Sequence, residues 1–117
     1  MFKILLFMKR RPGMSQEEFQ QYYEEKHVPL ALKYAGGMKS YKRRYVSPQT
    51  HVETGPCSDL GFDVITELGF DDEATFKTTL NYLSTSHLPD EVIEDEMQLF
   101  DRTTFRIATC TEFETVL

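Results

Sequence analysis

Long apolar runs are missing from this 117-residue chain. No stretch approaches the roughly 18 residues that a membrane-spanning helix needs, so no membrane partner is expected. Cysteine is scarce: Cys57 and Cys110 are the only two. They have neither metal-ligand spacing nor the numbers for a disulfide framework, which fits a reducing cytoplasm. Positive charge is in deficit, with 13 Lys and Arg against 19 Asp and Glu and a net charge of −6. That balance argues against nucleic acid and other phosphate-rich partners. The basic cluster Lys39, Lys42, Arg43 and Arg44 reads as a solvated strand edge that discourages edge pairing. There is no Gly-rich phosphate loop, no G-x-S-x-G elbow, no H-E-x-x-H and no C-x-x-C. Nucleotide use, serine hydrolysis and zinc catalysis therefore have no support, and His27, His51 and His87 are too scattered for a metal motif. What remains is acid–base chemistry or simple binding, without metal or other cofactor.

What is present is ordinary for a globular protein: 40% hydrophobic, 13% aromatic and 27% charged residues. The length suits one domain with one core, spanning 1–117. Met1 to Met8 is apolar apart from Lys3, but Lys9, Arg10 and Arg11 follow that run instead of preceding it, and Pro12-Gly13 makes a turn. The segment reads as a strand, not a secretory signal.

The most informative stretch runs from Arg11 to Ala31. Ser15 and Glu18 form a capping box that starts a helix. Phe19, Tyr23, His27 and Ala31 then recur every four residues, with Tyr22, Leu30 and Tyr34 beside them. Gln16, Glu17, Gln20, Glu24 and Glu25 lie mostly opposite. His27 therefore faces the core. Pro29 cannot donate to the carbonyl of Glu25 and crowds that turn, so the helix should kink or end close to His27. An inward histidine near a rim is a candidate catalytic group; the plainer alternative is a ring packed in the core against a backbone carbonyl.

Along the chain, strands are expected at Phe2–Lys9, Met38–Val46, Leu60–Leu68 and Thr103–Glu114. Helices are expected at Ser15 to about Tyr34, from an Asp71 cap through Ser84, and in a short stretch carrying Val92, Ile93, Met97 and Phe100. A long loop, Ser47–Ser58, separates the second and third strands. The order β-α-β-β-α-β with short links gives a ferredoxin-like α+β domain, a four-stranded antiparallel sheet with its helices on one face. The first strand is apolar at both parities, with Phe2, Ile4, Leu6 and Met8 on one side and Leu5 and Phe7 on the other. Helices on one face leave the second set in water, and a face-to-face homodimer would cover it.

Lys9–Phe19, Tyr23, His27-Val-Pro-Leu-Ala31, Tyr41, Phe62-Asp63, Glu67 and Phe70-Asp71 resemble the EthD family of the dimeric α/β-barrel superfamily. The resemblance covers nearly the whole chain and is most specific at H-x-P-L. It implies a homodimer of ferredoxin-like subunits, each with a cleft between sheet and helices. The superfamily includes cofactor-free cyclases, decarboxylases, isomerases, lyases and quinone-forming monooxygenases, along with haem-binding members. EthD itself is an accessory protein of ether-degrading systems.

With that resemblance, His27 is expected to act as general base and then acid on a small apolar or aromatic carbonyl compound, by cyclase, isomerase, decarboxylase or lyase chemistry. Asp63 and Glu67, four residues apart on one face of the third strand, are the expected orienting carboxylates; pairing with Arg43 or Arg106 in a dimer interface is the structural alternative. Tyr23, one turn before His27, and Tyr41, which carries the family pattern, are expected to hydrogen-bond a substrate oxygen. Tyr45, Glu67 and His51 complete the candidate binding set, His51 as a lid residue from the long loop. His87 reads as a helix C-terminal residue favoured by the dipole. The alternatives to catalysis are an accessory protein binding a hydrophobic metabolite or partner, and a haem protein with His27 as axial ligand.

Overall fold

The computed structural model describes residues 1–117. β1 (Phe2–Arg10) is followed by a continuous helical segment made of α1 (Gln16–Tyr22), a π-helical turn (Tyr23–His27) and α2 (Val28–Leu32). Next come β2 (Ser40–Tyr45), β3 (Val64–Phe70), α3 (Glu73–Thr85), α4 (Asp90–Leu99) and β4 (Phe100–Thr109). The four strands form one antiparallel sheet in the order β2-β3-β1-β4. This is the ferredoxin-like α+β arrangement, and no helix is long and apolar enough to cross a membrane.

Two faces of the sheet have different fates. Ile4 and Met8 on β1, Val64 and Phe70 on β3, and Phe100 on β4 are buried on the helix-covered face. Phe19 and Tyr23 of the first helical segment pack edge-to-face on Phe100, with ring centroids 5.8 and 5.6 Å apart. Aromatic edges meet ring faces in this way because the ring quadrupole favours it. Phe76 of α3 stacks on Phe2 at 5.4 Å and lies 6.1 Å from Phe70, which ties α3 to the same face. The other face carries Leu5 and Phe7, paired across the ladder with Glu67 and Ile65.

Local chemistry explains the boundaries. The capping box is present: the Ser15 hydroxyl accepts from the Glu18 amide at 3.1 Å, and the Glu18 carboxylate accepts from the Ser15 amide at 3.2 Å. The helix neither ends nor breaks before Pro29. It widens into a π-turn whose closing bond runs from the Val28 amide to the Tyr23 carbonyl, and a local widening of this kind accommodates a proline that has no amide to donate. β3 begins at Val64 instead of Leu60, because the Asp59 carboxylate accepts from the Gly61 amide at 2.7 Å and Gly61 takes a φ of +87°, turning the chain there. Phe62 thus lies outside the strand expected from Leu60 and packs on Phe7 at 5.3 Å. The α3 cap is Asp72, not Asp71, and its carboxylate accepts from the amides of Ala74 and Thr75. β4 starts at Phe100, directly from α4, and stops at Thr109; Met97 of α4 is exposed.

Candidate active site

His27 sits at the last position of the π-turn, 5% exposed. Its Nδ1 lies 2.7 Å from Oδ2 of Asp95 on α4. A carboxylate can only accept, so Nδ1 carries the proton and the lone pair of the neutral ring is on Nε2. Nε2 has no hydrogen-bond partner within the chain, and His27 is among the residues that line the adjoining cavity. The ring is held edgewise by Tyr23 at 5.1 Å and Phe100 at 5.5 Å between centroids. Burial drives the imidazole pKa below its ordinary value of 6.5, and the Asp95 carboxylate opposes that only in part. His27 is therefore a neutral base at pH 7.

The cavity has a volume of about 420 Å³ and lies between the sheet, the first helical segment and α3. Its walls include Leu6, Met8, Leu68, Phe70 and Phe105 from the strands, Ala31 from the helix and Tyr34 from the turn after it, and Leu83, Leu88 and Val92 from the other side. No Lys, Arg, Asp or Glu lines it. The polar lining is His27, Tyr23, Tyr41, Thr78, Thr79, Tyr34 and Tyr82. At the mouth, Tyr34 donates to Glu91 of α4 and Tyr82 donates to the His87 carbonyl at 2.9 Å. His87 thus serves the mouth through its backbone, with its side chain exposed beyond the end of α3.

The expected site residues separate into two groups. Tyr23 and Tyr41 do line the cavity with His27. The Tyr23 hydroxyl lies 2.7 Å from Thr66 Oγ1 in the sheet and 3.4 Å from the Tyr41 hydroxyl. Tyr23 is thus committed to the sheet, and the Tyr41 hydroxyl has only the longer contact to Tyr23. Both phenols are pushed above 10 chiefly by burial, which keeps them protonated as donors.

The other group lies elsewhere. Asp63 is not the partner of His27: its Oδ2 accepts from the Arg10 amide at 2.8 Å, just before β3 begins. Glu67 is on the uncovered face, 3% exposed, with Arg44, Lys3 and Lys42 at 3.2, 3.5 and 3.9 Å. Those cations replace the expected Arg43 and Arg106. Arg43 instead forms a two-pronged pair with Glu24 at 2.5 and 3.0 Å. Tyr45 donates to Glu24 Oε2 at 2.5 Å and does not line the His27 cavity. These groups wall a separate, more open and mostly charged hollow of about 480 Å³ beside β2, with only Tyr41 common to both. His51 forms an isolated bridge with Gly55 in the exposed loop and does not reach the cavity.

Asp95, and the bond that Tyr22 of the inward stripe makes to it, are what sequence reasoning missed. Tyr22 donates to Asp95 Oδ1 at 2.7 Å. One signal was available for Asp95: it stands three residues after Val92 and four before Leu99, both buried, so a carboxylate interrupts the apolar stripe of α4.

Comparison with known proteins agrees with this architecture. The family model of the EthD domain matches residues 11–103. The chain belongs to the EthD family. Among solved structures, an ethyl tert-butyl ether D (EthD) family protein from Bacillus halodurans superposes with a TM-score of 0.58 at 18% identity, over 97% of this EthD chain and 100% of that one. A protein from Arabidopsis thaliana, in an ensemble-refined crystal structure, gives 0.56 at 12% identity over 100% of both chains. The solution structure of the same Arabidopsis thaliana protein gives 0.54 at 13% identity, over 99% of this chain and 91% of that one. At these identities the likeness is one of fold. No curated protein matches the chain.

Proposed function

We propose that this EthD protein is a cofactor-independent acid–base enzyme acting on an uncharged, largely apolar or aromatic carbonyl compound. One observation carries the reading: a neutral imidazole, its Nδ1–H tied to Asp95 and its Nε2 without a partner in the chain, lines an apolar cavity of about 420 Å³. In the first step Nε2 takes a proton from the carbon beside the carbonyl. The C–H electron pair moves into the enolate, whose oxygen accepts from the Tyr41 hydroxyl, and Asp95 stabilises the imidazolium. The imidazolium then returns the proton at another carbon or to a leaving group, as isomerase, cyclase or lyase chemistry requires. A lining without a cation disfavours a carboxylate substrate, which sets decarboxylation behind these three. It also offers no partner for haem propionates, so the residues present do not fit a haem.

The test is solvent-deuterium exchange at the carbon beside the carbonyl, followed by NMR over a panel of aromatic and aliphatic ketones. The wild type should exchange at least one of them, and His27→Ala should lose about 10²-fold or more of that rate while staying folded. An unchanged rate in the variant would remove the proposal. Saturable binding with no exchange by the wild type would leave an accessory binding role.

We also propose a cytoplasmic homodimer formed through the uncovered sheet face. Leu5, Phe7, Phe62 and Ile65 give it an apolar centre, and the buried Glu67 Oε2 lacks a donor in the isolated chain. Sedimentation should give twice 13.7 kDa, and Phe7→Glu should halve it.

A further inference from the structure

We infer that Tyr22 is a positioning residue that acts on His27 through Asp95, set in place by the π-turn. Tyr22 and His27 are five residues apart. In a regular α-helix that separation turns them about 140° away from each other, too far round for one carboxylate to serve both. The π-turn closes its hydrogen bond over five residues, from Tyr23 to Val28, and brings both side chains to Asp95. The phenol reaches Oδ1 at 2.7 Å and the imidazole reaches Oδ2 at 2.7 Å. Each carboxylate oxygen therefore has its own donor.

Two consequences follow for the base. First, a carboxylate held at both oxygens cannot swing toward solvent, although its side chain is 14% exposed, so the imidazole keeps one tautomer and one direction. Second, the phenol draws charge from the carboxylate and weakens its hold on an imidazolium. Tyr22 thereby favours the neutral ring that proton abstraction needs. Its hydroxyl stays a donor throughout the working range, because burial and Asp95 together push it up to about 12.

The remaining groups around His27 leave this control to Asp95 and Tyr22. From its own helical segment the neighbour is the Tyr23 phenol, which is bonded to Thr66. From β4 it is the Phe100 ring, while Glu96 of α4, next in the chain to Asp95, is paired with Arg102 at 3.3 Å. From β2, Tyr41 stands behind Tyr23. At the cavity mouth Glu91 is occupied by Tyr34 and lies 3.9 Å from Lys33.

The role assigned to Tyr22 rests on the reading of His27 as a base, but its test needs no substrate. In a background with His51→Gln and His87→Gln, the His27 ring nitrogens are followed by long-range ¹⁵N NMR against pH in the ligand-free protein. The parent should show the Nδ1–H form and titrate below the free-imidazole range. Tyr22→Phe should raise that midpoint by about half a pH unit or more, and Asp95→Asn should lower it. Placing 3-fluorotyrosine at 22, a stronger donor of the same shape, should shift the midpoint opposite to Tyr22→Phe, and serves also if Tyr22→Phe fails to fold. A Tyr22→Phe midpoint within about 0.2 of the parent, or a lowered melting temperature with an unmoved titration, overturns the proposal. So does a dominant Nε2–H form. Loss of deuterium exchange in His27→Ala bears on the base itself, so the two readings fail separately.

Discussion

At the scale of single residues, the site depends on hydroxyls whose partners are fixed. Tyr23 is fully buried and its phenol spans the gap between Thr66 and Tyr41. Tyr23→Phe keeps the ring contacts with Phe19, Phe100 and His27 but leaves the Thr66 hydroxyl without its partner. The expected cost is about 1–2 kcal/mol in urea-unfolding stability, with native near-ultraviolet circular dichroism retained. A loss above that range would mean that the ring, and not the hydroxyl, had moved. His27 and Tyr23 were legible in the sequence because helical spacing alone puts them on the buried stripe. Asp95 was not, because its role depends on how α4 docks against a turn 68 positions earlier in the chain. Asp63 misled for the same reason: it lies next to a strand that does border the cavity, yet turn formation at Asp59 and Gly61 gives its carboxylate to the Arg10 amide.

At the scale of elements, the sequence specifies starts better than it specifies joins. The capping box at Ser15 was readable, as was the disturbance from Pro29, since both follow from groups within four residues of each other. That the disturbance becomes a π-turn was not readable, because α4 and Asp95 help to define it from outside. One join can be tested directly. Gly37, between α2 and β2, has a φ of +78°, and a Cβ there would lie 2.6 Å from the Cγ2 of Thr75 on α3. Gly37→Ala therefore meets both a left-handed backbone penalty and a clash, for an expected loss of about 1–3 kcal/mol. Thr75→Ser removes the offending methyl while keeping the hydroxyl bonded to Asp72 at 2.6 Å. Adding it to Gly37→Ala should recover the steric part only, read as a positive coupling in a double-mutant cycle of thermal stabilities. Additive effects would show that the backbone conformation accounts for the whole loss.

At the scale of the whole molecule, the covered face buries two titratable groups whose demands oppose each other. His27 is held below its ordinary pKa by burial, so the unfolded chain takes up a proton near 6.5 while the folded chain resists it. Its contribution to stability is present above that range and is lost as pH falls through it. Glu96 is 4% exposed and is raised above 4.5 by burial, an effect that Arg102 offsets only in part. The folded chain keeps that proton to a higher pH than the unfolded chain does. The Glu96 contribution is therefore present at low pH and is lost as pH rises above 4.5. The two slopes have opposite sign, His27 acting downward from 6.5 and Glu96 upward from 4.5. Glu96→Gln should leave the histidine slope exposed, so that urea midpoints measured at pH 8, 7, 6 and 5 fall more steeply on acidification than in the wild type. His27→Gln should leave the Glu96 slope of opposite sign, so that its midpoints fall less on acidification than those of the wild type. Parallel curves for wild type and Glu96→Gln would show that Glu96 titrates alike in the folded and unfolded chains, and would remove the opposition.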